Sequence, residues 1–258
     1  MKKLFILWAG IILSSIWVSA QEYKPYLSEE EVMSSVRLLP PPPQEGSIEF
    51  LLDQIAYLEY FKLRTDNPER AKQAIADADM SDIGYKFEDA FGLLITPETM
   101  PETWLLISRS RECFGSSGSN AAKQYYKRQR PFEYFGTHTL TPADDDWLRT
   151  NGSFPSGHCS NYFGLAYVLA ALRPERGEAL LSRAEQGAIS RLIVGAHWAS
   201  DVAAGKVVAA SVYEYLKKNA EYQAQFRKAQ IEVQNALQKV DVLSATDAES
   251  QISEVRLD

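Results

Sequence analysis

Three short clusters in the sequence combine basic side chains, histidine and glycine where helices are predicted to begin or end. They are Lys123 with Arg130-Pro131, then Gly152-Ser153-Phe154-Pro155-Ser156-Gly157-His158, and finally Ser190-Arg191 with His197 and Asp201. Transfer of a phosphoryl group needs positive charge on its equatorial oxygens, a nucleophile in line with the leaving oxygen, and an acid that protonates that oxygen. The clusters contain all three kinds of group, so their residue types point to phosphoryl chemistry if the fold brings them together.

The second cluster leads directly into an apolar helix. The amides of Ser156, Gly157 and His158 are therefore predicted near the N-terminus of that helix, where backbone donors have no partner within the helix. Such an end binds anions, and a glycine there allows the backbone to approach a ligand closely. Taken alone, the same residues favour an ordinary helix cap with a histidine beside it.

The third cluster contains a histidine and a carboxylate four residues apart. On a helix, His197 and Asp201 would lie on the same face. A carboxylate that accepts from one ring nitrogen fixes the tautomer and leaves the lone pair of the other nitrogen free to attack an electrophile. Taken alone, the two residues also fit a structural pair, and Lys123, Arg130 and Arg191 would each fit a surface charge.

Helical periodicity dominates the elements that must position these clusters. The predicted helices span residues 48–63, 68–80, 102–128 with an interruption near 115–118, 158–172, 178–196 and 199–217, and a polar helix or fraying tail follows at 218–240. Residues 131–157 are predicted to form one long loop, because they are rich in Pro, Gly, Thr, Asp and Asn. No alternating strand, internal repeat or linker composition interrupts the pattern, so we expect one all-helical domain.

The N-terminus has the pattern of a secretory signal peptide. Lys2 and Lys3 precede an apolar run from Leu4 to Val18, and Val18-Ser19-Ala20 is a typical cleavage site. The run is shorter than the roughly 20 residues that span a bilayer, which favours cleavage near Ala20 over a membrane anchor. We therefore expect a periplasmic or secreted mature chain that does not span the membrane.

The mature chain is predicted to begin with an extended arm. Residues 21–48 contain Pro40-Pro41-Pro42-Pro43, and each proline disfavours helix at the residue before it. The helical domain is expected at 49–240 and a poorly ordered tail at 241–258. A mean hydropathy of -0.26 argues against a multi-pass membrane protein.

Composition excludes several classes of protein. Lys and Arg number 27 against 34 Asp and Glu, and the net charge of -7 disfavours a nucleic-acid partner. Cys113 and Cys159 are too few for a disulfide-rich scaffold or a typical structural zinc site, and they form either one disulfide or two buried thiols. Three consecutive acids, Asp144 to Asp146, are expected to be solvated rather than to bind a metal ion.

The three motifs together resemble a known signature. The pattern Lys-x6-Arg-Pro, Pro-Ser-Gly-His and Ser-Arg-x5-His-x3-Asp looks like that of the type 2 phosphatidic acid phosphatase (PAP2) and vanadium haloperoxidase superfamily. The segment 152–158 and the arm from Leu39 to Pro43 are similar to class A nonspecific acid phosphatases, which are soluble exported bacterial enzymes. The likeness spans residues 38–215. That class more usually has tyrosine at the place of Phe154 and threonine at that of Cys159, which leaves the substrate preference open.

The resemblance implies an all-α, single-domain bundle of the PAP2/haloperoxidase type and a mechanism without metal ion or other cofactor. It implies that His197 attacks phosphorus, that Asp201 orients His197, and that His158 protonates the leaving oxygen. The implied phosphate ligands are Lys123, Arg130, Arg191, the Ser156 side chain and the Gly157 amide.

We therefore expect an exported acid phosphatase that hydrolyses small organic phosphates through a phosphohistidine intermediate. The mechanism requires one neutral and one protonated histidine, which predicts a bell-shaped pH profile on the acidic side of neutrality. Within the superfamily the alternatives are a soluble pyrophosphatase or nucleotide diphosphatase, a lipid-phosphate phosphatase and a vanadate-dependent haloperoxidase. A non-catalytic phosphate-binding protein is a further alternative. The class also implies a homodimer or larger homo-oligomer.

Overall fold

The computed structural model describes residues 23–255 and the side chains of residues 23–239. The predicted signal peptide at 1–20 and the side chains of the predicted tail at 241–258 lie outside this part. Within the described residues the chain is helical and contains no strand, which confirms the all-α prediction.

The longer helices follow the predicted order. They are α1 (Ile48–Asp66), α2 (Pro68–Ala76), α3 (Pro101–Glu112), α4 (Asn120–Tyr126), α5 (Gly157–Leu172), α6 (Gly177–Val194), α7 (Ala199–Leu216) and α8 (Ala220–Val255). Shorter α-helical segments occur at Ser35–Leu38, Ile83–Lys86, Glu88–Phe91, Pro131–Tyr134 and Asp145–Thr150.

Helix α5 is the centre of the bundle. Its own residues are apolar on all faces, as expected for a helix enclosed by other helices, and Leu165, Val168 and Leu169 are fully buried. Helices α6 and α7 pack closely against it. Gly164 on α5 touches the ring of Phe114, and a Cβ at this position would overlap that ring. The N-terminus of α5, which carries the second cluster, is therefore held firmly between neighbouring elements.

Helix α1 has two unlike faces. Its N-terminal cap is Ser47, whose Oγ accepts from the amide of Phe50 at 3.1 Å. Phe50, Asp53 and Tyr57 form the buried face. The opposite face exposes large apolar side chains to solvent, and these are Ile48, Leu51, Leu52, Ile55 and Leu58.

The predicted loop at 131–157 is wrong in part, because two short helices lie within it. Pro131 occupies the first turn of the first helix, and the Glu133 carboxylate accepts from the amide of Arg130 at 3.2 Å. The second helix, Asp145–Thr150, begins beside a buried carboxylate. Asp145 is only 4% exposed and accepts from the Thr139 hydroxyl at 2.6 Å, so the expectation of a solvated acid is wrong for this residue.

The predicted helix at 102–128 is divided by its interruption into α3, a π-helical turn at Cys113–Ser117, and α4. Helix α4 ends at Lys127, which adopts a left-handed conformation with φ of +45°. This early ending leaves residues 128–130 as a short extended segment, and it turns the side chain of Arg130 towards the third cluster.

The two cysteines are free thiols, and both are buried. Cys159 on α5 donates to the carbonyl of Val202 on α7 at 3.1 Å. Cys113 accepts from the amide of Leu27 in the N-terminal arm at 3.4 Å. Of the two possibilities that the sequence left open, the structure shows buried thiols.

None of the helices in the described part of the chain has the length and apolar character needed to cross a bilayer.

Candidate active site

The cations of the first cluster are buried and held by backbone carbonyls. Lys123 lies in the last turn of α4, is 7% exposed, and donates through Nζ to the carbonyl of Gly152 at 2.9 Å. Arg130 is 1% exposed, and its guanidinium donates to the carbonyls of Leu148, Asn151 and Ala196 at 2.8–3.0 Å. Neither cation has a surface position, so the surface-charge alternative is wrong for both.

The second cluster forms the N-terminus of α5, as predicted. Ser156 is the cap residue, and its Oγ accepts from the amide of Cys159 at 3.3 Å. The amide of Ser156 donates to the carbonyl of Asp201 at 2.9 Å, so this amide already has a partner. Gly157 and His158 are the first two residues of the helix and remain partly exposed, which places the opening of the site beside them.

In the third cluster, Arg191 lies in the last turn of α6 and Asp201 in the first turn of α7. His197 lies between these helices, in a turn that Gly195 begins with φ of +81°. His197 and Asp201 therefore do not share a helix face, because α7 begins only at Ala199, close to the predicted start of this helix. The turn nevertheless brings His197 Nδ1 to 3.5 Å from Asp201 Oδ2.

The three clusters meet at His197. One guanidinium nitrogen of Arg130, Nη1, lies 3.3 Å from His197 Nε2. Lys123 and Arg130 share the carbonyl of Gly152, which lies 2.9 Å from the lysine Nζ and 3.4 Å from the arginine Nη2. An Arg130 donor facing Nε2 needs a lone pair there, so the ring proton belongs on Nδ1, towards Asp201.

Arg191 gives the clearest indication of an anion site. Its side chain is 2% exposed, and among the described residues its Nε and Nη1 atoms have no hydrogen-bond partner. Buried donors are nearly always paired, and an unpaired guanidinium is especially costly. The donors of Arg191 are therefore placed to bind an anion.

The electrostatics support the same conclusion. Burial, together with the neighbouring charge of Arg130, lowers the pKa of Lys123 to about 7. Burial also lowers the pKa of Arg130 and that of Arg191 to about 10. Cations crowded into a buried space repel each other, and a bound dianion would relieve that repulsion.

Both histidines are kept neutral by the same environment. Burial and the charge of Arg130 hold the pKa of His197 well below its usual value. Burial and the charge of Arg191 do the same to the pKa of His158. The free protein therefore holds two neutral imidazoles among three cations. A neutral ring can act as a nucleophile, whereas a ring that acts as an acid must first take up a proton.

Comparison with known proteins accounts for this arrangement. The sequence pattern of the PAP2 superfamily matches residues 107–221, a range that contains every residue of the three clusters. The chain is also 40% identical to a non-specific acid phosphatase of Providencia stuartii, over 80% of this chain and 84% of the relative. The chain belongs to the PAP2 superfamily. It is 36% identical to a non-specific acid phosphatase of Salmonella typhimurium over 96% of this chain and 98% of the relative, and 29% identical to an acid phosphatase of Zymomonas mobilis over 77% and 75%.

Behind His197, the candidate site has a network that the sequence did not reveal. Arg128 Nη1 donates to Asp201 Oδ1 at 2.6 Å, and Arg128 Nη2 donates to Asp53 at 2.7 Å. Asp53 also accepts from the amide of Ser200 at 2.8 Å. No signal in the sequence marked Asp53, because most large apolar side chains of α1, which would predict its buried face, are exposed. Nothing in the spacing distinguished Arg128 from a surface charge.

Behind His158, the candidate site has a second network. His158 Nε2 lies 2.9 Å from the carbonyl oxygen of Ala78, in the loop after α2. The preceding residue, Asp77, is buried and pairs with Arg183 and Ser190 on α6. Asp77 and Ala78 stand in a polar stretch at a helix end, and no pattern in the sequence marked them as part of the site.

Within the described residues, no group of three or more His, Cys, Asp or Glu side chains is arranged to hold a metal ion. The acids Asp144 to Asp146 do not form such a group. His138, which is close to them in sequence, pairs through Nδ1 with the carboxylate of Asp145 at 2.9 Å.

Proposed function

We propose that the protein is an exported acid phosphatase that hydrolyses small phosphate monoesters through a phosphohistidine intermediate, without a metal ion. The coarser statement, that this is a phosphoric monoester hydrolase, follows from membership of the PAP2 superfamily and from the relatives' names. The observation that carries the proposal is the set of unpaired Arg191 donors in the same buried site as His197.

The first step forms a bond between His197 Nε2 and phosphorus and breaks the bond to the leaving oxygen. Nε2 carries a lone pair and no proton in the tautomer that Arg130 and Asp201 favour, and Arg130 releases this lone pair when it turns its donor to a phosphoryl oxygen. The imidazole becomes positively charged as it takes the phosphoryl group, and the Asp201 carboxylate 3.5 Å from Nδ1 stabilises that charge. Lys123, Arg130, Arg191, the Ser156 hydroxyl and the Gly157 amide hold the equatorial oxygens.

His158 delivers the proton to the leaving oxygen. Since Nε2 of this ring is occupied by the carbonyl of Ala78, the transferable proton is the one on Nδ1. In the second step, Nδ1 takes a proton from water, the hydroxide oxygen bonds to phosphorus, and the bond to His197 Nε2 breaks. Inorganic phosphate leaves, and both rings return to their starting protonation states.

The charge on the substrate explains why an acidic optimum is expected. In the free protein the pKa of His158 is depressed, so this ring is mostly neutral near pH 7. A bound dianion raises its pKa again, and low pH increases the protonated fraction further. A neutral His197 is required at the same time, which gives a bell-shaped dependence on the acidic side of neutrality.

Export and assembly belong to the same proposal. The sequence of residues 1–20 supports cleavage near Ala20 and a periplasmic or secreted location. The exposed apolar face of α1 supports a homodimer or larger homo-oligomer.

The test is hydrolysis of p-nitrophenyl phosphate by the purified protein with EDTA present, alongside His197→Ala. We expect activity that survives chelation, is highest below pH 7, and is lost in the variant. Rapid quenching with a radiolabelled monoester should trap label on His197 of the wild type. Loss of activity on chelation, or full activity of His197→Ala, would overturn the proposal.

A further inference from the structure

The loop after α2 reaches His158 through a single backbone group. Helix α2 ends at Ala76, and the carbonyl of Ala78 accepts from His158 Nε2 at 2.9 Å. This carbonyl is the partner that settles which nitrogen of the His158 ring exchanges protons with the site. A backbone carbonyl has no charge and no rotatable side chain, so its position depends on how the loop is fastened.

The carboxylate of Asp77 fastens the loop to α6. It accepts from the guanidinium of Arg183 and from the hydroxyl of Ser190 at 2.6 Å, and both partners lie on α6. Arg70 on α2 donates to the same hydroxyl at 2.9 Å. A buried carboxylate with charged and neutral donors makes strong, directional bonds, and its loss would leave Arg183 without its partner.

The backbone on both sides of Ala78 is also held. The carbonyl of Asp77 accepts from the hydroxyl of Tyr162 at 3.2 Å, and Tyr162 lies one turn beyond His158 on α5. The carbonyl of Met80 accepts from the guanidinium of Arg111 on α3. The loop is therefore tied to α3, α5 and α6, and Asp77 contributes both its side chain and its backbone to these ties.

We propose that Asp77 is a positioning residue for the reaction, which holds the Ala78 carbonyl on His158 Nε2 and so keeps Nδ1 as the atom that gives and takes the proton. The inference rests on the proposed function, because it assigns His158 the acid and base steps. It adds a residue outside the three clusters, on an element that contributes no side chain to the phosphate site itself.

The groups that face His158 make the direction of the effect clear. Burial and the charge of Arg191 lower its pKa, whereas the hydrogen bond to Ala78 opposes that change and favours the protonated ring. The other charges that act on the ring, those of His197 and Lys123, also lower its pKa. A displaced carbonyl would thus lower the fraction of His158 that is protonated. It would also allow the neutral ring to carry its proton on Nδ1 instead of Nε2.

The experiment compares two phosphate monoesters whose leaving groups differ. Phenyl phosphate has a poor leaving group that needs a proton, whereas 2,4-dinitrophenyl phosphate has a good one that does not. For Asp77→Asn we expect kcat/KM to fall about tenfold or more with phenyl phosphate and less than about threefold with the dinitrophenyl ester, since acid catalysis matters only for the first. The alkaline limb of the pH profile should move to lower pH.

A matched control separates positioning from stability. The carboxylate of Glu232 on α8 caps α3, accepting from the amide of Thr103 at 2.8 Å and from its hydroxyl at 2.7 Å. Glu232→Gln should lower the melting temperature and leave the ratio between the two substrates unchanged. Tyr162→Phe removes only the bond to the Asp77 carbonyl, and it should change the ratio in the same direction as Asp77→Asn by a smaller factor.

Equal losses with both esters in Asp77→Asn and an unchanged ratio in Tyr162→Phe would overturn the inference. An increase in KM alone would overturn it as well, since that result would assign Asp77 to the binding of phosphate through its neighbours Ser190 and Arg191. Failure of the proposed function is distinguishable, because the wild-type protein would then hydrolyse neither ester.

Discussion

The two imidazoles of the site face partners that differ in charge. His197 faces the Asp201 carboxylate, which is itself bonded to Arg128 and, through Arg128, linked to Asp53 on α1. His158 faces the neutral carbonyl of Ala78. A carboxylate suits a ring that is positively charged for as long as it carries a phosphoryl group. A carbonyl fixes the direction of the ring and still allows its proton to leave.

Asp201 is also held more rigidly than its contact with His197 requires. Its Oδ1 accepts from Arg128 at 2.6 Å and its Oδ2 accepts from the amide of Trp198 at 2.8 Å, whereas His197 Nδ1 lies 3.5 Å from Oδ2 and makes no hydrogen bond to it. The carboxylate charge behind His197 is therefore fixed in position by two hydrogen bonds. The difference between the two supports indicates which ring is the nucleophile and which exchanges protons, and the following experiments test that assignment.

The largest expected effect separates the two rings directly. His197→Ala removes the proposed nucleophile and should lower kcat by roughly 10⁴-fold or more with every monoester. His158→Ala removes an acid and should cost about 10²- to 10⁴-fold with phenyl phosphate but much less with 2,4-dinitrophenyl phosphate. Steady-state kinetics with both esters would contradict the comparison if the leaving group mattered more for the His197 variant.

The next effect concerns the cation whose charge acts most strongly on His158. At an effective dielectric of about 20, a cation about 4 Å from a unit charge contributes roughly 4 kcal/mol before desolvation, or about 10³-fold. A neutral hydrogen bond contributes about 1 kcal/mol. Arg191→Ala should therefore lower kcat/KM far more than Ser156→Ala, and it should raise the pKa on the alkaline limb because it removes a cation beside His158. The reverse ranking of the two variants would argue against the arrangement of ligands.

A smaller effect is expected from the network behind His197. Arg128→Met leaves the carboxylates of Asp53 and Asp201 buried without their partner, which should cost about 3–5 kcal/mol of stability. Displacement of Asp201 should also lower kcat by up to about 10²-fold, with little dependence on the leaving group.

The control for this variant is Lys206→Met, which breaks a half-exposed pair with Glu185. It should change stability by less than about 1 kcal/mol and leave kcat unchanged. Urea titration and the kinetics of both variants check the prediction. Similar losses of stability in the two variants would contradict the role of Arg128 as the partner of two buried carboxylates.

The smallest effect is the pH dependence of binding alone. The pKa of Lys123 is about 7 in the free protein, and a bound dianion raises it. A phosphate monoester is already a dianion above pH 7, since its second pKa is about 6. Binding then requires uptake of a proton, so the Kd of phenyl phosphate for the inactive His197→Ala variant should rise by up to about tenfold per pH unit above pH 7.

Calorimetry in buffers of different ionisation enthalpy measures that proton uptake together with the Kd. Lys123→Met in the same inactive background should bind more weakly, and its Kd should depend less steeply on pH over this range, since only His158 then takes up a proton on binding. A constant Kd in the protein that retains Lys123 would contradict the assignment of a low pKa to this lysine.

The sequence predicted the groups of the site better than their supports. The motif residues Lys123, Arg130, His158 and His197 are distinctive because each is a cation or an imidazole at a fixed spacing from a predicted helix end. The apolar composition of 158–172 likewise predicted a central buried helix, which α5 confirms. Such features depend on residues that are close together in the sequence, so a single sequence is enough to predict them.

The supports depend on contacts between distant parts of the chain. Arg128 meets Asp53 across 75 positions, and Asp77 meets Ser190 across 113. Nothing in a single sequence indicates that such residues are neighbours. The error at Asp145 has a different cause, because its partners Thr139 and His138 lie only six and seven positions away. No apolar periodicity in 131–157 indicates that this carboxylate is buried.

The buried thiols give the protein two internal reporters of partial opening. Burial raises the pKa of Cys113 to about 11, and it raises the pKa of Cys159 further, so neither presents a reactive thiolate in the folded state. A chromogenic disulfide reagent can therefore label either thiol only after its surroundings open. Cys113 would record release of the N-terminal arm and Cys159 would record separation of α5 from α7, so two labelling rates can tell which side of the bundle loosens first.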